Sequence, residues 1–379
     1  MASMAAVPLA STSARPIKTR KAKTSKPSSN AVDKKTRKPP LGKLLASSDK
    51  ETREDAVEHL LVYLSGKGDL AETEKQDLDN DGQGVAMEQQ DASTSLKDVK
   101  LPKAFQEEQL NVLWQGCFYC MYMCDKPLPQ QKLASQLAEP IVTILENPRL
   151  KSKTARRKAS LAYLSTFWKT MVRELPGIDR HRMDKYYSLM RRVLHNTFIM
   201  LRKTGWNEDV MAEANSYLFR QGGPLHLQDI KTPISVAYHI LDIYITELER
   251  SVSDLSEEEE DALSSQPVPL LKLVEPLIQE LAIVVNKDHY KRIVDNIFEP
   301  LMDMLDEAKG EEPSSKRRRL ETEDGDDHEE GEQTLLRGQP ASLKLDILRK
   351  MFSTGAKEDT DPVNRKRLYK FAADHGLDE

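Results

Sequence analysis

Cys117, Cys120 and Cys124 stand in a C-x-x-C-x-x-x-C spacing and are the only cysteines in a chain of 379 residues. Thiols so spaced could bind zinc or carry redox chemistry. A structural zinc takes four ligands, usually from turns, and a thioredoxin-like pair needs a strand–helix junction. These three fall instead on one expected helix, interleaved with Phe118, Tyr119, Met121, Tyr122 and Met123. They read as small apolar side chains in a packed helix. Three clustered cysteines also make no disulfide framework, which points to the inside of the cell. The eight histidines follow no H-E-x-x-H spacing, and His181 and His195 lie among Arg and Lys, a poor setting for a cation. No phosphate-loop, dinucleotide or nucleophile-elbow motif occurs. Paired carboxylates are abundant, but they fall in low-complexity stretches that would fix neither their geometry nor their pKa. Neither an enzyme nor a bound cofactor, metal or small-molecule substrate is expected.

The stronger signal is electrostatic. Residues 149–203 hold fifteen Lys/Arg against Glu174, Asp179 and Asp184, a net of +12. After Asp179, helical spacing puts Arg182, Lys185 and Arg192 on one face opposite an apolar stripe, with Arg180 before them and Arg191 and Arg202 towards the flanks. The preceding helix begins with Lys151, Lys153, Arg156, Arg157 and Lys158. A charge run is most often a solvated face, but such an excess in a chain that is acidic elsewhere indicates an anionic partner. Lys and Arg would neutralise phosphates and release counterions with little sequence specificity. An acidic protein surface, or the chain's own acidic loops, would satisfy the same cations, so charge alone supports RNA and an acidic partner equally.

Charge elsewhere is arranged in blocks. Lys and Arg number 56 against 61 Asp and Glu, a formal net charge of -5. Residues 1–40 carry +9, which leaves -26 outside the two basic blocks, much of it in 69–91, 247–261 and 306–332. Such stretches bury too little apolar surface to offset chain entropy. The organisation expected is a disordered basic tail over 1–40, preferred to a secretory or transit signal, and a helical-repeat domain over 41–308. That domain has a polar insert at 66–100 and an acidic loop at 249–266. A disordered acidic linker follows at 309–340, then a C-terminal tail with a short helix at 341–379. Lys316-Arg317-Arg318-Arg319 in the linker suits a nuclear import receptor. Ser256, ahead of Glu257 to Glu260, suits an acid-directed kinase. No apolar run approaches the roughly eighteen residues of a membrane span, and a soluble chain is expected.

The elements that must hold the basic block are helices. Only 16 Gly and no convincing strand alternation argue for an all-α fold. Ser48 with Glu51 reads as a capping box ahead of Ala56, Leu60 and Leu64. A helix from about 103 to 123 puts Leu110, Leu113, Trp114, Cys117, Phe118 and Met121 on one face. Pro127 opens another through Leu133, Leu137, Ile141 and Ile144. The next runs from Ser152 to Glu174 and stops at Leu175-Pro176-Gly177. Asp179 caps the clearest stripe, Met183, Tyr186/Tyr187, Met190, Leu194, Thr197 and Leu201. Asn207 and Thr232-Pro233 open two more, and 269–285 and 288–305 make a last pair. Helices of this length joined by short breaks suggest antiparallel pairs stacked as a HEAT/ARM-like α-solenoid.

The segment Leu113-Trp-Gln-Gly-Cys-Phe-Tyr-Cys-Met-Tyr-Met-Cys-Asp-Lys-Pro-Leu128 resembles the signature of the nucleolar ribosomal RNA-processing protein 1 family. So do Phe167-Trp168, Gly177-Ile-Asp-Arg-His-Arg-Met-Asp-Lys-Tyr-Tyr187, Arg191-Arg-Val-Leu194 and the opening Asp49 to Ala56. The resemblance covers about 41–250, is loose beyond 265, and departs in the insert at 66–100. It implies a non-catalytic helical-repeat factor of preribosomal particles in the nucleolus, needed to mature large-subunit rRNA, with particle proteins and precursor rRNA as partners. Trp114, Phe118, Phe167, Trp168 and Tyr187 are then expected in the core, Asp179 as a cap, and Arg180, Arg182, Lys185, Arg191 and Arg192 at the contact. The competing reading is a nuclear adaptor or transport-receptor-like solenoid that works through proteins alone.

Overall fold

Local capping chemistry and helical apolar spacing set the elements. The computed structural model describes residues 40–67, 105–229, 232–253, 255, 267–308 and 335–377. All lie in the compact unit Lys38–Glu379. A short helix α1 (Leu41–Leu45) precedes α2 (Lys50–Ser65). Asp49 caps α2, accepting the Thr52 amide at 2.7 Å. The capping box read at Ser48 is thus displaced by one residue. The Ser48 carbonyl instead takes the buried Arg53 guanidinium at 2.9 Å.

Next come α3 (Glu107–Tyr122), α4 (Pro127–Ala138) and the single turn α5 (Pro140–Thr143). The sequence suggested one helix through Ile144, but Pro140 lacks the N–H that would carry α4 onward. The long pair α6 (Lys153–Glu174) and α7 (Met183–Lys203) follows, with Ser152 capping α6 through the Ala155 amide at 3.0 Å. Asp179 caps not α7 itself but a three-residue turn, Arg180–Arg182, that leads into it. Beyond lie α8 (Glu208–Phe219), α9 (Ile234–Arg250) and α10 (Leu270–Ile283). The pair then ends with α11 (Lys287–Ile293), which passes through a π turn, Val294–Phe298, into α12 (Glu299–Glu307).

Residues 341–379, read from sequence as a tail with a short helix, carry two packed helices, α13 (Leu343–Gly355) and α14 (Pro362–Asp374). Leu343, Ile347, Leu348, Met351, Leu368 and Ala372 are buried. Lys344 forms a buried ion pair with Asp306 of α12.

The helices stack in two rows, as in an α-solenoid. One row runs α3, α6, α8, α10, α13, and the other α4–α5, α7, α9, then the π turn into α12. No β-strand is formed among the described residues. The family-like aromatics lie between the rows. Trp114 is fully buried, and its indole N–H donates to the Tyr163 carbonyl at 3.0 Å. Its ring meets Tyr163 and Phe167 at 4.8 and 4.9 Å. The Tyr186 hydroxyl donates to the Phe118 carbonyl at 3.0 Å while the two rings stack at 4.6 Å. Trp and Tyr fill such cores well because each polar end has a partner. Tyr187 is the exception, half-buried and stacked on His239 at 4.4 Å. Where α1 crosses α3, a Cβ on Gly116 would stand 2.7 Å from the Gly42 carbonyl oxygen, so that crossing requires glycine.

Candidate nucleic-acid interface

The α6–α7 hairpin carries the basic block, and its geometry decides which cations can act together. α6 has 22 residues, a length of about 33 Å at the helical rise. An Nη2 of Arg157 donates to the Thr204 carbonyl at 3.3 Å. The first turn of α6 therefore lies beside the end of α7, and the link 175–182 lies at the other end. Lys158 and Arg180, both read from the sequence as part of one basic block, sit at opposite ends of the hairpin.

Several expected contact residues are committed to the fold. Lys185 is the plainest correction: it is buried, and its ammonium donates to the Tyr122 and Cys124 carbonyls at 2.6 and 2.9 Å. It closes the C-terminal end of α3, where carbonyls lack helical partners. Burial holds its pKa below the ordinary lysine value, against the opposing charge of Asp125. Arg191 pairs with Glu247 of α9 at 2.6 Å. Arg156 donates from Nε to the Leu150 carbonyl at 3.1 Å, so it and Arg157 hold the entry to α6. Arg182 pairs with Asp179 and lies over the Tyr122 ring at 4.7 Å. Its pair with Asp179 is two-fifths exposed on both sides, so it stays available to a stronger anion. Lys158, Arg180 and Arg192 are exposed with no hydrogen bond or ion pair among the described residues, as are Lys151 and Lys153.

Glu247, counted from sequence in the acidic low-complexity stretch 247–261, lies instead within α9. Buried between α7 and α9, it gathers Arg191, His195 Nδ1 at 3.4 Å and Arg250 at 3.6 Å. Burial pushes its carboxyl up. The nearby His195 ring and the charges of Arg191 and Arg250 outweigh that and hold it below the usual glutamate value. Arg250 is three residues along α9, but Arg191 and His195 are more than fifty residues away in sequence, so local spacing did not mark the cluster.

The cysteines do not converge on a reactive centre. Cys117 and Cys120 are buried on α3, and Cys124 lies just past its end rather than within it. Burial pushes the Cys120 thiol up to about 11 and Cys117 well above its ordinary value, which disfavours the thiolate needed for attack or metal binding. Among the described residues no group of three or more His, Cys, Asp or Glu gathers as a metal site, and no helix is long and apolar enough to cross a membrane. Lys316, Arg317, Arg318 and Arg319, like Ser256, lie outside the described residues.

A family model described as "Nucleolar protein, Nop52" matches residues 86–372. The match runs from before α3 through most of α14, further than the motif resemblance, and begins after α2. Human Ribosomal RNA processing protein 1 homolog B is 30% identical over 261 residues, covering 68% of this chain and 27% of that protein. Human Ribosomal RNA processing protein 1 homolog A is 27% identical over 307 residues, 70% of this chain and 61% of its own length. The Drosophila melanogaster Ribosomal RNA processing protein 1 homolog is 35% identical over 149 residues, 39% of this chain and 20% of its own. The chain thus spans less than two thirds of each of these relatives. With the family model matching most of an all-helical chain whose signature aromatics form its core, the chain belongs to the Nop52 family of nucleolar proteins.

Proposed function

We propose that this chain is a non-catalytic scaffold of ribosome biogenesis, needed for rRNA processing and large-subunit maturation, that docks on precursor rRNA through the α6–α7 hairpin. Family membership and the relatives' names support the process. One observation carries the docking mode: Lys151, Lys153, Lys158, Arg180 and Arg192 are exposed and unpartnered among the described residues, at both ends and along the hairpin. A phosphodiester chain can meet cations spread over about 33 Å, and a compact acidic patch cannot. The scaffold then brings particle proteins to that RNA, and an import receptor reads Lys316 to Arg319.

The test is binding of a mixed-sequence RNA to the full chain as salt is varied. Each phosphate contact steepens the dependence of log K on log salt by about 0.7 to 0.9. Reversing Lys158, Arg180 and Arg192 to Glu should weaken binding and flatten the slope by roughly 2. A slope already flat, or one the triple variant leaves unchanged, rules out docking by this hairpin.

The protein-only adaptor reading draws on Val112, Tyr119, Met123 and Leu128, exposed on α3 and the start of α4. Particles purified with this chain that lack precursor rRNA would favour it.

A further inference from the structure

A second cationic surface lies at the other end of the helix rows, where the sequence suggested a tail with a short helix. The loop after α10 is tied to the start of α14. The Asp361 amide donates to the Ala282 carbonyl at 2.9 Å, and the Asn364 side-chain amide donates to the Val284 carbonyl at 2.6 Å. These bonds bring Val285, 85% exposed, beside the first turn of α14, where Val363 is 56% exposed. Val363 and Pro362 form the apolar end of an open trough of about 390 Å³ completed by Lys366, Arg367 and Lys370.

Lys366 and Lys370 have no hydrogen bond or ion pair among the described residues, nor do Lys287 and Lys291 on α11. Arg367 lies over the Tyr290 ring at 5.0 Å and donates to Asn364 Oδ1 at 3.0 Å, so its guanidinium is held at the trough wall. Acids on the flanking segments are Glu358 and Asp359 ahead of α14, Asp361, which is taken up capping α14, Asp288 in the first turn of α11 and Asp374 at the far end of α14. Cations outnumber them along the trough itself.

We infer that this surface docks an acidic peptide segment of a partner protein, with apolar side chains set against Val285 and Val363 and carboxylates against Lys366, Arg367 and Lys370. The charge selects an anion, and an apolar end beside the cations selects a protein over a nucleic acid. RNA recognition by stacking needs open aromatic faces. Here Tyr290 is covered by Arg367, and Tyr369 is stacked on Phe352 at 4.6 Å.

The experiment titrates the full chain into an array of fluorescein-labelled peptides combining Glu or Asp with Leu, Ile or Phe, followed by polarisation. Members should bind saturably and keep part of their affinity in high salt, because the apolar contact is not screened. Lys366→Glu with Lys370→Glu should weaken binding roughly tenfold, and Val363→Ser severalfold. Both variants should melt like the wild type, because the changed side chains are exposed. Absence of saturable binding across the array, or binding that both variants leave intact, overturns the inference. So does a mixed-sequence RNA oligonucleotide that binds more tightly than every peptide and is lost with the Lys366/Lys370 variant.

Discussion

Glu280 offers a quantitative test of how the second half of the fold is held. It projects from α10 and is 6% exposed. One carboxylate oxygen, Oε2, has no hydrogen-bond partner, and His226 Nδ1 lies 3.9 Å from the other. Burial pushes its pKa up to about 7 from an ordinary 4.5, with a backbone N–H from Leu227 opposing weakly. In the unfolded chain the group titrates near 4.5. Between those values the folded state holds more protons, so stability falls as pH rises from 4.5 to about 7 and stays reduced above. That displacement costs on the order of 3 kcal/mol. Glu280→Gln keeps the shape and the acceptor for Leu227 but removes the ionisation. Thermal and urea unfolding followed by far-UV circular dichroism should show the variant more stable by about 3 kcal/mol near pH 8. The two proteins should converge at acid pH. A variant that is less stable at high pH, or a difference that does not change with pH, would refute the reasoning.

Two further substitutions separate structural cations from docking cations and test the C-terminal packing. Lys185→Met should lower stability by about 2 kcal/mol, because two carbonyls at the end of α3 lose their donor. It should leave the salt slope of RNA binding unchanged, unlike reversal of Arg192; chemical denaturation beside the salt titration checks both. Asp306→Ala should cost about 3 to 5 kcal/mol in a urea melt, since it strands Lys344 as a buried charge between α12 and α13.

Much of the helical plan was legible because capping side chains and apolar periodicity are local. Asn207 caps as read, the helix read from Ser152 starts there, and the α7 stripe of Tyr186, Met190, Leu194, Thr197 and Leu201 is buried. α1 escaped because five residues make little more than one turn, too few for a period to show. α14 escaped as a packed helix because charged side chains interrupt Leu368 and Phe371, and its docking rests on bonds to Ala282 and Val284 about eighty residues earlier. The same non-locality explains the contact residues. Lys185 sits in a basic run, but its fate is set by carbonyls at positions 122 and 124, and that of Arg191 by Glu247. Composition marks where cations are dense. Only packing shows which of them are free.

The measurement that bears most directly on the central claim is recovery of precursor rRNA with the tagged full chain from cells, beside its Lys158→Glu/Arg180→Glu/Arg192→Glu variant. If the hairpin docks RNA, the wild type enriches large-subunit precursor rRNA and the folded variant recovers roughly tenfold less. Equal recovery by both proteins, at equal expression, would contradict that claim.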